Sequence, residues 1–226
     1  MLEIFGEIEQ NSDEWFEIRK GLPTSSQFKS ILAKGEGKTR KSYMNKLAAE
    51  IITGRPGETF SRPELARGHA MEGEARDFYS FLTNSEPERI GFARNGKKGS
   101  SPDSLIGNNG LLEIKTQRGD LLIETITRNE FPSEHVAQVQ GQLWVMEREW
   151  CDIIVYWPSM PPFIKRAYRD SFFISKLSAA IDQFNEELAE LVERIKGYSP
   201  SVPDQEASDA LAIGRAFCTS TPHELR

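Results

Sequence analysis

The chain has 226 residues, 38% of them hydrophobic, with four Trp and thirteen Phe. That suffices for one large core and excludes a disordered tail. No apolar run of eighteen residues occurs, which argues against a membrane-spanning helix. Met1-Leu2-Glu3-Ile4 is not a basic-then-apolar leader, so a cytoplasmic setting is expected. The two cysteines, Cys151 and Cys218, stand in unrelated contexts and suggest neither a disulfide framework nor a zinc-type pair.

The net charge of -6 at first speaks against a nucleic-acid partner, but it is unevenly spread. Eight carboxylates between Asp182 and Asp209 face only Arg194 and Lys196, so this stretch alone accounts for the whole imbalance. The remainder sums to neutral and holds two basic clusters, Lys34/Lys38/Arg40/Lys41 and Arg89/Arg94/Lys97/Lys98. Such clusters suit phosphate contacts, and equally suit an ordinary solvated face.

In chain order, Ser12 is placed to cap a short helix carrying Trp15, Phe16 and Arg19. Beyond Gly21 and Pro23, Thr24 or Ser25 opens a second helix with Phe28, Ile31 and Leu32 on one face. Tyr43, Met44, Leu47 and Ile51 recur at helical spacing over 41–53, with Gly54 as terminator. Ser61, Pro63 and Glu64 form a helix-start signature, and that helix should run to about Thr83. The period then changes. Segments 88–94, 100–106 and 110–116 read as strands, with Asn108-Asn109-Gly110 as the tight turn of a hairpin. A helix from Glu134 to Glu147 buries Val136, Val139, Leu143 and Met146. Cys151 to Trp157 is a buried strand and Phe163 to Tyr168 one more. A long amphipathic helix over 171–196 carries Phe172, Leu177, Ile181, Phe184, Leu188, Leu191 and Ile195. Residues 1–197 thus form one α/β domain with a helical N-terminal part, and 198–226 a loosely packed tail.

The hairpin holds the informative chemistry. Pro102-Asp103 lies in its first arm and Glu113-Ile114-Lys115 in its second. Alternation puts Glu113 and Lys115 on one face, and the turn folds Asp103 back towards it. Two carboxylates and an ammonium at one sheet edge suit phosphodiester hydrolysis. The carboxylates hold hard divalent cations, and the amine orients water and offsets developing charge. The competing reading is a surface hairpin with a Glu–Lys pair.

The blocks around this hairpin resemble the PD-(D/E)XK nuclease superfamily, and more closely its phage lambda exonuclease branch, the YqaJ-like viral recombinases. The resemblance spans residues 13 to 157. Asp13-Glu14-Trp15, Ile18-Arg19, Gly21 and Thr24-Ser25-Ser26 are similar to the family's opening signature. Leu65-Ala66, Gly68 and Glu72 resemble its acidic helix. Ser101-Pro102-Asp103 and Leu112-Glu113-Ile114-Lys115 resemble its metal site, and Ala137-Gln138-Val139-Gln140 with Leu143-Trp144-Val145 the helix that follows. The stretches Lys34–Lys41 and Thr116–Asp120 depart from the pattern.

The resemblance implies a restriction-endonuclease-like mixed β-sheet flanked by helices. It implies two Mg²⁺, replaceable by Mn²⁺, on Asp103, Glu113 and the Ile114 carbonyl, with Lys115 positioning the water. It gives Glu72 a supporting role at the second metal and Gln138 one at the scissile phosphate. Arg19 and Ser26 would bind a terminal 5′-phosphate, Leu65 would wedge the last base pairs, and Arg40 or its neighbours would grip DNA. The activity implied is 5′-to-3′ resection of double-stranded DNA ends to mononucleotides, leaving 3′ overhangs. A homotrimeric ring and a single-strand annealing protein as partner are implied too, in a host bacterial cytoplasm if the source is a phage or prophage. A same-superfamily endonuclease and a non-catalytic DNA-binding scaffold are the alternatives.

Overall fold

The computed structural model describes residues 1–33, 38–57 and 63–199, with backbone alone for 63–70. Its strands are β1 (Leu2–Phe5), β2 (Pro87–Glu88), β3 (Phe92–Asn95), β4 (Gly99–Ser100), β5 (Ser104–Ile106), β6 (Gly110–Thr116), β7 (Trp150–Tyr156) and β8 (Phe163–Tyr168). The helices are α1 (Asp13–Arg19), α2 (Phe28–Leu32), α3 (Lys38–Thr53), α4 (Pro63–Thr83), α5 (Gly119–Arg128), α6 (Val136–Val145) and α7 (Ser171–Lys196). Short 3-10 turns precede α2 and α6. Residues 1–192 form one compact unit and 193–226 a second. The Ser61 cap and the tail from residue 200 lie outside the described residues, as does Lys34.

The main sheet is mixed, in the order β2-β5-β6-β7-β8. β6 and β7 run parallel because the chain between them crosses over through α5 and α6, and the other pairings are antiparallel. Packing on both sheet faces explains why β6 and β7 are buried along most of their length. One sheet face takes Leu111, Cys151, α3, α6 and α7 into a core centred on Phe28, Leu143, Leu177 and Phe184. The other packs Leu112, Ile114 and Ile154 beneath Ala75 and Tyr79 of α4. A third cluster joins Leu122 of α5 to Ile153, Val155 and Phe163. No helix among the described residues is long and apolar enough to cross a membrane.

Several expectations change in detail. The three strands between 88 and 116 are five, and β3 and β4 leave to join β1 in a separate sheet, β1-β3-β4. The break falls at Gly91, where a Cβ would overlap the Ile8 carbonyl, so the N-terminal chain crosses the strand there. The hairpin turn is Gly107-Asn108-Asn109: Ile106 pairs with Gly110, and Gly107, at φ +51°, takes the left-handed position. Gly110 instead lies under the Trp150 ring. Residues 119–128, to which the sequence pattern assigns no element, form α5. On α7 the buried stripe runs Ile174, Leu177, Ile181, Phe184, Leu188, Val192, whereas Phe172 and Ile195 are exposed. Ile51 is likewise exposed.

Gly141 lets α6 approach the Ser25–Phe28 segment. A Cβ there would overlap the Phe28 ring and sit 3.4 Å from the Ser25 Cβ. Gly141→Ala is therefore expected to destabilise the protein by about 1–3 kcal/mol despite alanine's better helix propensity. Urea unfolding checks this; an unchanged or raised midpoint would mean that Phe28 yields without cost.

Candidate active site

The register of the β5–β6 hairpin puts Ser104 opposite Leu112, and Asp103 immediately precedes β5. Asp103 Oδ2 accepts the Ile114 N–H at 2.6 Å. Lys115 Nζ lies 2.5 Å from Glu113 Oε1. Gln138 Nε2 donates to the same Oε1 at 2.6 Å, and Gln142 Nε2 donates to Oε2. A carboxylate only 3% exposed is thereby satisfied on both oxygens. Gln142 was absent from the sequence reading. Its spacing of four from Gln138, one helical turn on the same face of α6, was the available signal.

Electrostatically the pair of carboxylates is under-compensated. Desolvation first, and the Glu113 charge second, push the Asp103 carboxyl well above the usual carboxylate range, against the pull of Lys115 and the Ile114 N–H. Burial alone would lower the Lys115 ammonium, but Glu113 and Asp103 outweigh it and raise its pKa. An acid held high by burial first and a second acid next is what a divalent cation would relieve. The donors available to it, Asp103, Glu113 and the Ile114 carbonyl, are all oxygen, which fits a hard cation such as Mg²⁺. Among the described residues no group of three or more His, Cys, Asp or Glu side chains converges as a metal site.

Glu72, half-buried on α4, lines a cleft with Asp103, Arg76 and Arg89, and its charge acts on both Asp103 and Lys115. Arg76, which sequence reasoning passed over, donates from Nε to Ser104 Oγ at 2.8 Å and from an Nη to the Asp103 carbonyl at 3.4 Å. Gln10 Nε2 reaches the Ile90 and Pro102 carbonyls at 2.8 and 3.2 Å. These contacts fix the backbone that carries Asp103. On the other side of Lys115, His135 shares a small cleft with it; burial first, and the Lys115 charge second, lower the imidazole pKa.

A second cavity, of about 640 Å³, is walled by Arg19, Thr24 and Ser26 together with Lys38, Ser42, Tyr43, Lys46 and Glu50 of α3. Ser12 caps α1 through its Oγ, 3.2 Å from the Trp15 N–H, and the next turn lays the Arg19 guanidinium 3.6 Å above the Trp15 ring. One Arg19 Nη donates to Thr24 Oγ1 at 3.3 Å, while its buried Nε has no hydrogen-bond partner. Burial lowers the Arg19 pKa to about 10, with Tyr43 and Glu50 opposing. A buried guanidinium with an open donor among hydroxyls is an anion site in its chemistry. The segment that walls the cavity is tied to β4 and the residue after it: Gly99 N–H donates to the Pro23 carbonyl at 3.0 Å, Ser25 Oγ meets Ser100 Oγ at 2.9 Å, and Trp15 Nε1 donates to Ser101 Oγ at 3.1 Å. Ser101 stands two residues before Asp103.

Other expected contacts sit elsewhere. Arg40 pairs with Glu187 of α7 at 2.6 Å, 5.2 Å from the Phe184 ring, so its guanidinium is committed to helix packing. In the second basic cluster, Arg94 donates to the Ile18 carbonyl at 2.8 Å and Lys98 sits 4.2 Å from the Trp144 ring, both internal tasks. The Leu65 side chain lies outside the described residues.

The mixed sheet flanked by helices, with Asp103 at the entry to β5 and Glu113 and Lys115 on β6, is a restriction-endonuclease-like fold. Residues 14–149 match the YqaJ-like viral recombinase domain, and the chain belongs to that family. It is similar to LHK-Exo, solved in complex with dAMP, at 30% identity and a TM-score of 0.76 over 82% of this chain and 96% of that one. A second structure of LHK-Exo, an alkaline exonuclease from Laribacter hongkongensis, gives 30% identity, a TM-score of 0.75 and the same coverage. A phage-related exonuclease from Haemophilus somnus 129PT shares the fold at 12% identity, with a TM-score of 0.61 over 77% of this chain and 96% of that one. No curated protein matches at the sequence level. The chain is an enzyme of the exonuclease class, in the lambda exonuclease-like branch.

Proposed function

We propose that the protein is a Mg²⁺-dependent 5′-to-3′ exonuclease of double-stranded DNA. It removes mononucleotides from 5′-phosphorylated ends and leaves 3′ overhangs for recombination. One observation carries this reading: Trp15, Pro23 and Ser25, which alternate in sequence with the residues walling the Arg19 cavity, are hydrogen-bonded to the 99–101 segment that leads into Asp103. A hydrolytic centre alone cuts anywhere it can reach, whereas one coupled to an anion pocket is registered to a chain end.

Asp103, Glu113 and the Ile114 carbonyl would hold divalent cations, whose chemistry there would be positive charge for the transition state and a lowered pKa for bound water. Gln138 and Gln142 hold the Glu113 carboxylate in place through its two oxygens. Lys115 orients the attacking water and offsets charge building on the phosphate. Glu72 supports the Asp103 side of the cleft. Arg19 and Ser26 take the terminal phosphate, and Leu65 serves as the wedge between the last base pairs. Arg40 would have to leave Glu187 to touch DNA, so Lys38 and Lys46 on the cavity wall are better placed for backbone contacts. A homotrimeric ring, a single-strand annealing partner and a host bacterial cytoplasm complete the proposal, on the strength of family membership.

End-labelled linear duplex incubated with and without Mg²⁺ tests the reading. Mononucleotides released from the 5′-ended strand are expected, with covalently closed circles spared; efficient cutting of circles would favour the endonuclease alternative. Arg19→Ala is expected to slow digestion of phosphorylated ends by about 10- to 100-fold, the worth of one charged hydrogen-bond set, and unphosphorylated ends far less. Equal slowing of both in steady-state assays would mean that the cavity does not hold the phosphate.

A further inference from the structure

Helix α3 holds the Arg19–Thr24 turn at two points from one face. Tyr43 Oη accepts the Thr24 N–H at 3.1 Å. Seven residues and two turns later, Glu50 Oε2 accepts the Gly21 N–H at 2.9 Å. The other Glu50 oxygen accepts the Gly57 N–H at 3.2 Å, with Lys46 Nζ 4.0 Å away. Glu50 is only 7% exposed, yet it lines the cavity that holds Arg19. Gly21 sits at φ +70°, and a Cβ there would lie 2.5 Å from Ile51 Cγ1, so this turn can close on α3 only as glycine.

A buried carboxylate on the wall of an anion pocket is paradoxical unless it is held back from the ligand. Here both oxygens are turned to backbone N–H groups of the two segments that flank the cavity, so Glu50 is not free to swing onto Arg19 and cap it. It attracts Arg19 through space and leaves the guanidinium donors available.

We propose that Glu50 is a positioning residue for end recognition: by clasping Gly21 and Gly57 it sets the turn that aims Arg19 at the 5′-terminal phosphate. The inference rests on the reading of the Arg19 cavity as the phosphate site.

The test compares kcat/KM on 5′-phosphorylated and 5′-hydroxyl duplex ends for the full-length wild type, Arg19→Ala, Glu50→Ala and Glu50→Gln. Glu50→Ala should lower the phosphorylated-to-hydroxyl ratio by about fivefold or more, chiefly through KM on phosphorylated ends. Glu50→Gln keeps one oxygen for the Gly21 N–H but loses the acceptor for Gly57, and should leave the ratio between those of wild type and Glu50→Ala. A Glu50→Ala ratio equal to wild type overturns the inference alone, provided that Arg19→Ala loses its preference. Loss of both rates by one common factor in the two Glu50 variants assigns Glu50 to plain folding and also overturns it. If Arg19→Ala keeps the wild-type ratio, the phosphate-site reading fails and this inference falls with it.

Discussion

Replacement of Lys115 by alanine is expected to reduce turnover by about a thousandfold or more, while divalent-cation binding survives. The side chain is held 2.5 Å from Glu113, and the two neighbouring carboxylates keep it positively charged in the metal-free protein. It therefore enters the reaction as a charge and a hydrogen-bond donor, poised beside the residues that would carry the cations. Its removal leaves Asp103 and Glu113 in place and deletes a cation that competes with metal for Glu113. Calorimetric titration with Mg²⁺ should give an affinity equal to or above that of wild type, and single-turnover digestion should give a collapsed rate. A variant within about tenfold of wild-type rate would take Lys115 out of the chemistry. A variant that lost metal affinity together with rate would recast Lys115 as a structural support of the carboxylates.

The hairpin that carries Asp103, Glu113 and Lys115 was legible in the sequence because its geometry is local. Strand alternation sets Glu113 and Lys115 on one face, and a short turn brings Asp103 across. The α7 bounds were legible for the same kind of reason, since a 26-residue amphipathic period leaves little choice. β1 was not: four residues, Leu2–Phe5, are a strand only because Leu2 pairs with Asn95 and Phe5 with Phe92. α5 was missed because Gly119, Thr125 and Thr127 are weak helix formers and its apolar residues include the exposed Leu121 and Ile123. Arg76 and Glu50 look in sequence like members of solvated helix faces. Their tasks appear only when Ser104, 28 residues away, and Gly21, 29 residues away, are folded against them. The convergence of Asp103, Glu113 and Lys115 was readable from spacing, whereas the contacts that hold their backbone come from distant parts of the chain.

The same under-compensated pair leads to a result in stability. Asp103 is held at a cost: it is desolvated, faces Glu113, and its carboxyl sits well above the ordinary range. Near neutral pH its ionised form opposes folding until a cation arrives. Asp103→Asn removes that charge, and its amide oxygen can still accept the Ile114 N–H. The variant should therefore lose turnover and yet melt higher than wild type in EDTA, by on the order of 1 kcal/mol or about 2–4 °C in Tm. Added Mg²⁺ should raise the wild-type Tm by mass action and leave the variant unmoved. The two melting curves thus converge or cross as Mg²⁺ is titrated, a pattern that a purely structural aspartate does not give. A metal-free variant that melts below wild type would mean that the Asp103 charge supports the hairpin on its own, and the account of a site strained for cation binding would have to be abandoned.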